Sequence, residues 1–167
     1  MATPDPRLAP RPTPRADHPL TGAILRGLRA SPRTLPSALL YDDLGSALFE
    51  AITLLPEYEL TRADLRLIDA HTPDVLRALP GPLEVVELGP GGGRKALAFL
   101  APLVARQGAV TFTGVDVSAA ALAQCQRTLE ALPSVTFRAA EASYLDGLRA
   151  APRVKGARRL ALFLGSN

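Results

Sequence analysis

From Thr21 to Leu79 the apolar residues recur at helical spacing, whereas from Leu83 onward they gather into short runs separated by amphipathic stretches. In the first region Leu44, Leu48, Ala51, Ile52 and Leu55 form one stripe, and Leu65, Leu67 and Ile68 lie within the next. Thr61 followed by Asp64 has the spacing of a capping box, and Thr72 before Pro73 reads as a second start, so helices are predicted near 61–70 and 73–79. In the second region LEVVEL at 83–88, VTFTGVD at 110–116, SVTF at 134–137 and RLALFLG at 159–165 read as strands. Between them Arg94–Arg106, Ala119–Leu132 and Tyr144–Ala150 are long enough for crossover helices, which predicts parallel pairing. The expected fold class is α/β, an open sheet of four parallel strands preceded by a helical subdomain.

Composition adds limits. With 167 residues and 47% hydrophobic content, the chain suits one globular domain and a tail. The tail is 1–20, where Pro4, Pro6, Pro10, Pro12, Pro14 and Pro19 stand among arginines and predict disorder. The net charge is only +3 and the arginines are scattered, which argues against a nucleic-acid partner. A single cysteine, Cys125, excludes an internal disulfide, and no Cys/His grouping offers a metal site, so no metal is expected. No run approaches the roughly 18 apolar residues of a spanning helix, and the start lacks an apolar signal stretch. These features predict a cytoplasmic protein with no membrane partner.

The local signal that carries chemistry is Glu87-Leu88-Gly89-Pro90-Gly91-Gly92-Gly93, directly after a buried strand and before a helix. Glycines let the backbone turn sharply and let a ligand approach where a Cβ would clash, at the strand end where open α/β sheets bind ligands. The dinucleotide fingerprint G-x-G-x-x-G would need glycine at position 94, and Arg94 stands there. The pattern is instead acid-x-G-x-G-x-G, which suits the amino-acid end of S-adenosylmethionine. The next strand ends in Asp116, where a carboxylate can accept hydrogen bonds from both ribose hydroxyls. Taken alone, Asp116 also suits a cap for the helix opening near Ser118, and the two residues are expected to divide these roles.

These residues resemble the histidine-specific, S-adenosylmethionine-dependent methyltransferases, the family that includes the enzyme making hercynine for ergothioneine. The resemblance runs from about Pro36 to Asn167. It rests on Tyr41-Asp42-Asp43-Leu44-Gly45-Ser46-Ala47-Leu48-Phe49-Glu50, on Leu55-Pro56-Glu57-Tyr58-Glu59-Leu60-Thr61-Arg62, on Val86 through Lys95, and on Phe163-Leu164-Gly165-Ser166-Asn167. The glycine block points to the cofactor class, and the first two blocks point to the family.

The resemblance implies a Rossmann-like methyltransferase sheet over 81–167 and a substrate-side helical subdomain over 21–80. It implies that Gly89 and Gly91 line S-adenosylmethionine, that Lys95 meets its carboxylate and that Asp116 holds its ribose. Tyr58 matches a tyrosine that contacts the substrate L-histidine, Gly165 a glycine beside it, and Tyr41 lies close by. After the third strand the family has an acid and then an aromatic at the adenine, where this chain has Ser143 and Tyr144. Ser143 retains an acceptor without the charge. No side chain is assigned acid or base chemistry, since in-line methyl transfer rests on positioning. His18 and His71 are expected to play no part. The resemblance also implies that the sheet is incomplete at Asn167 and that further substrate residues lie beyond it. Residues 1–167 alone are therefore expected to be inactive, and the full-length protein monomeric.

Overall fold

The computed structural model describes residues 20–165. Residues 1–19 of the tail, His18 among them, and Ser166 and Asn167 lie outside the described residues. Contacts divide the chain between Leu39 and Leu40 into two compact units. The first contains α1 (Thr21–Arg29), closed where Thr34 N–H donates to the Gly27 carbonyl at 3.0 Å.

The second unit runs α2 (Asp43–Thr53), α3 (Leu60–Ala78), β1 (Leu83–Leu88), α4 (Arg94–Gln107), β2 (Val110–Asp116), α5 (Ala119–Leu129), β3 (Val135–Glu141), α6 (Tyr144–Ala150) and β4 (Arg158–Leu162). All strand pairs are parallel and the order is β3-β2-β1-β4. The chain thus builds outward from β1 on one side and returns to pair β4 on the other. Such a switch point leaves a crevice outside the carboxyl ends of the strands.

β1 is buried along nearly its whole length, as a central parallel strand must be. One sheet face buries Leu83 and Val85 with Phe99, Leu100 and Leu103 of α4 and Leu129 of α5. The other packs Val86 and Val115 against Tyr144 and Leu148 of α6 and against Ala151, which follows it. At the amino end of β1 the carboxylate of Glu84, 2% exposed, accepts from Arg159 Nε at 2.8 Å and from Val154 N–H at 2.5 Å. Arg159 also donates to the carbonyls of Ala151 and Pro152, so this buried pair ties β4 and the preceding turn to β1.

Four details differ from the sequence reading. The segment expected to hold two helices is the single helix α3, which continues through Pro73. Proline removes one donor, so only the Asp69 carbonyl loses its helical partner. Thr72 donates its hydroxyl to the Ile68 carbonyl at 2.6 Å, and buried Thr72 and Leu76 anchor the two halves together. His71 accordingly lies mid-helix and exposed rather than at a junction. Thr61 and Asp64 form no capping box, because the N-cap is Glu59, two residues before Thr61, and it makes no side-chain cap. β3 extends to Glu141, and β4 stops at Leu162, short of the expected 165.

The fourth difference concerns α2. Its expected core stripe is largely exposed, with Leu44 at 67% and Leu48 at 55%. The helix instead turns Ser46, Glu50 and Thr53 inward, at i, i+4 and i+7, and packs against α5. Ser46 Oγ lies 3.4 Å from Ser118 Oγ, and Thr53 donates to the Glu50 carbonyl. An apolar stripe at helical spacing therefore does not mark the face that this helix buries.

Candidate functional site

The glycine loop leaves β1 at its carboxyl end, beside the switch point. Gly89, Gly91 and Gly93 all have positive φ, at 69°, 52° and 81°. These values lie in the left-handed region, where a side chain is strained. Gly89 N–H donates to the Val115 carbonyl at 2.8 Å, which binds the loop to β2. At Gly93 a Cβ would lie 2.8 Å from Cys125 Sγ, so glycine is also the condition for packing α5 against the loop. Thr128 of α5 donates to the Gly92 carbonyl at 2.6 Å.

Glu87, two residues before the loop, is 0% exposed, and among the described residues neither carboxylate oxygen has a hydrogen-bond partner. Burial pushes its carboxyl from 4.5 up to about 7, and the charge of Lys95 opposes that shift. The contrast with Glu84 on the same strand is informative, because both carboxylates are buried and only the one at the ligand end lacks a protein partner. Burial first, and then the charges of Glu87 and Asp116, push the Cys125 thiol up to about 12. At neutral pH that buried sulfur is a packing group.

Lys95, at the start of α4, is tied rather than free. Its ammonium lies 3.3 Å from Asp64 Oδ2 on α3 and donates to the Leu164 carbonyl just after β4. Lys95 thereby joins the glycine loop, α3 and the segment that carries Gly165, which is itself exposed. Asp64, read from sequence as a cap, is in fact this lysine's carboxylate.

Asp116 and Ser118 divide their work: Asp116 Oδ1 accepts from Ser118 N–H at 3.0 Å, while Ser118 Oγ caps α5 by accepting from Ala121 N–H at 3.1 Å. Ser143 caps α6, and its hydroxyl donates to Asp146 Oδ2 at 2.6 Å. Tyr144 stands edge-on to Phe163 at 5.6 Å between centroids. The carboxyl ends of the four strands thus gather Gly89, Gly91, Lys95, Asp116, Ser143, Tyr144 and Gly165. Tyr58 lies against Phe49 of α2, edge to face at 6.0 Å, and Tyr41 is exposed just ahead of that helix. A hollow of about 300 Å³ between Pro82, Thr136 and Lys155 lies at the opposite ends of the strands, away from the loop.

The residue that sequence reasoning missed is Glu50. Its Oε1 accepts from Gly92 N–H at 3.1 Å, and a Cβ on Gly92 would come within 2.7 Å of that oxygen. The available signal was a single acid among Leu48, Phe49, Ala51 and Ile52 at i+4 from Ser46.

Comparison with known proteins places the fold and the loop in context. Residues 20–167 match the histidine-specific, S-adenosylmethionine-dependent methyltransferase family. A histidine N-alpha-methyltransferase of Mycobacterium tuberculosis is 35% identical over 86% of this chain and 44% of its own length. The N-methyltransferase fsqC of Aspergillus fumigatus is 33% identical over 76% of this chain and 36% of its own. Ergothioneine biosynthesis protein 1 of Neurospora crassa is 36% identical over 62% of this chain and 11% of its own. The chain spans less than half the length of these relatives. No helix among the described residues is long and apolar enough to cross a membrane.

Proposed function

This chain belongs to the family of histidine-specific, S-adenosylmethionine-dependent methyltransferases, and from that membership we propose that its protein methylates the α-amino nitrogen of L-histidine, forming hercynine for ergothioneine. The observation that carries the proposal is the loop at Gly89–Gly93 beside an unpartnered, buried Glu87. Gly91 holds open a cradle that a side chain would strain, and a buried carboxylate without a partner suits a cationic ligand. The residues therefore fit S-adenosylmethionine, whose sulfonium supplies an electrophilic methyl group when bound.

In this reading Gly89 and Gly91 line the cofactor, Lys95 faces its carboxylate and Asp116, with one oxygen committed to Ser118, offers the other to the ribose. Ser143 and Tyr144 border the adenine. Tyr58, Tyr41 and Gly165 border the histidine. The nucleophile is a neutral amine; a backbone α-amine has a pKa of about 7.7–8.0 and that of a free amino acid is higher still, so the site must favour the unprotonated form as well as orient it. Tyr58 is assigned to orientation.

A second reading, methylation of another small amine, is favoured by the similar identity to fsqC, at 33% against 35% for the mycobacterial histidine enzyme. A monomer in the cytoplasm completes the proposal, supported by a single cysteine that is a buried free thiol. The test is incubation of the protein with S-adenosylmethionine and L-histidine, followed by mass spectrometry and NMR. Methyl groups on the α-nitrogen support the proposal. Turnover of other amines with histidine untouched supports the second reading instead.

A further inference from the structure

Glu50 is the charged member of the inward face of α2, and its position is set by the loop rather than by another side chain. One oxygen holds Gly92 N–H at 3.1 Å, and the Cβ that Gly91 lacks would point at the same oxygen from 3.8 Å. The carboxylate thus forms one wall of the space that Gly91 leaves open. Its second oxygen has no hydrogen bond, and the group has no ion pair, among the described residues. Of the two cations that open α4, Lys95 is already held by Asp64 and the Leu164 carbonyl, and Arg94 is exposed and makes no ion pair with Glu50. A half-buried carboxylate beside a ligand cradle, with acceptor capacity unused and no cation of its own, matches a ligand that brings an ammonium group.

We propose that Glu50 is a cofactor-binding residue that accepts the ammonium of the cofactor's amino-acid end through its second oxygen, while its first oxygen keeps the Gly92 amide in place. The inference rests on the S-adenosylmethionine reading of the loop. It makes α2 a part of the cofactor site, and it explains why this helix buries Ser46, Glu50 and Thr53 instead of its leucines. The substrate amine is the competing occupant.

The test compares S-adenosylhomocysteine with its analogue lacking the α-amino group, titrated calorimetrically into the wild-type protein and Glu50→Gln. Glutamine keeps an acceptor for Gly92 N–H and removes the charge. The expected result is a loss of roughly tenfold in affinity for S-adenosylhomocysteine, the scale of one charge-assisted hydrogen bond, with the deaminated analogue changed less than about twofold. Binding of that analogue also reports that the variant is folded. Equal losses for both ligands would reduce Glu50 to a support for the loop and overturn the proposal. Unchanged affinity for both, with KM for histidine raised instead, would assign the carboxylate to the substrate and overturn it too. Failure of the wild-type protein to bind either ligand would overturn the cofactor reading itself, a result distinct from the others.

Discussion

Replacing Glu87 with glutamine isolates the electrostatic cost of burying this carboxyl without a hydrogen-bond partner among the described residues. The folded carboxyl titrates at about 7 against 4.5 for the free group. Between those values the folded state binds the proton more tightly than the unfolded chain, so stability is greatest below 4.5 and falls as pH rises to about 7. At about 1.4 kcal/mol per pH unit over that interval, the wild type loses on the order of 3 kcal/mol. Glutamine is nearly isosteric and resembles the protonated acid, so Glu87→Gln escapes this loss. Other titrating groups are common to both proteins and largely cancel in the difference, and the Cys125 thiol, pushed up to about 12, stays protonated throughout. The assay is urea unfolding of both proteins at intervals from pH 4.5 to 8. The variant is expected to match the wild type at the acid end and to exceed it by on the order of 3 kcal/mol at pH 8, with most of the rise complete by about 7.5. A difference independent of pH would show that Glu87 is solvated or paired in solution, and the argument for a cation-seeking cradle would fail.

Two further substitutions test the proposed roles of single residues. Tyr58→Phe is expected to raise KM for histidine while leaving the affinity for S-adenosylhomocysteine within about twofold; a fall in cofactor affinity with unchanged histidine kinetics would reverse the assignment. Ser143→Asp retains an N-cap for α6 and restores a charged acceptor beside the adenine, so cofactor binding is expected to tighten by on the order of 1 kcal/mol; calorimetry showing no gain would mean that the hydroxyl, already donating to Asp146, is not at the adenine.

The sheet was legible because parallel, doubly buried strands write themselves as short apolar runs. LEVVEL and VTFTGVD both became strands at the expected residues. β3 was underestimated because Arg138 and the alanines after it look unlike a strand, while backbone pairing carries the strand on to the register partner of Asp116. Among the helices, Pro73 misled because a missing donor leaves one carbonyl unpaired without ending a helix anchored by Thr72 and Leu76. The glycine loop was legible because its spacing reflects backbone conformation, and three of its glycines indeed have positive φ. The partners around it were not legible. Asp64 reaches Lys95 across 31 positions, and Glu50 reaches Gly92 across 42. Such pairings are made by helix packing, and for α2 the packed face opposes the hydrophobic pattern from which packing is ordinarily read.

Titration of S-adenosylhomocysteine into the wild-type protein and Gly91→Val asks whether the loop from Gly89 to Gly93 holds S-adenosylmethionine. The φ of 52° at Gly91 is strained for a β-branched residue, and its side chain would fill the space beside Glu50. Saturable one-site binding to the wild type and no detectable binding to Gly91→Val are expected, with circular dichroism showing that the variant keeps its fold. Equal affinity in a folded Gly91→Val protein would contradict binding at the loop.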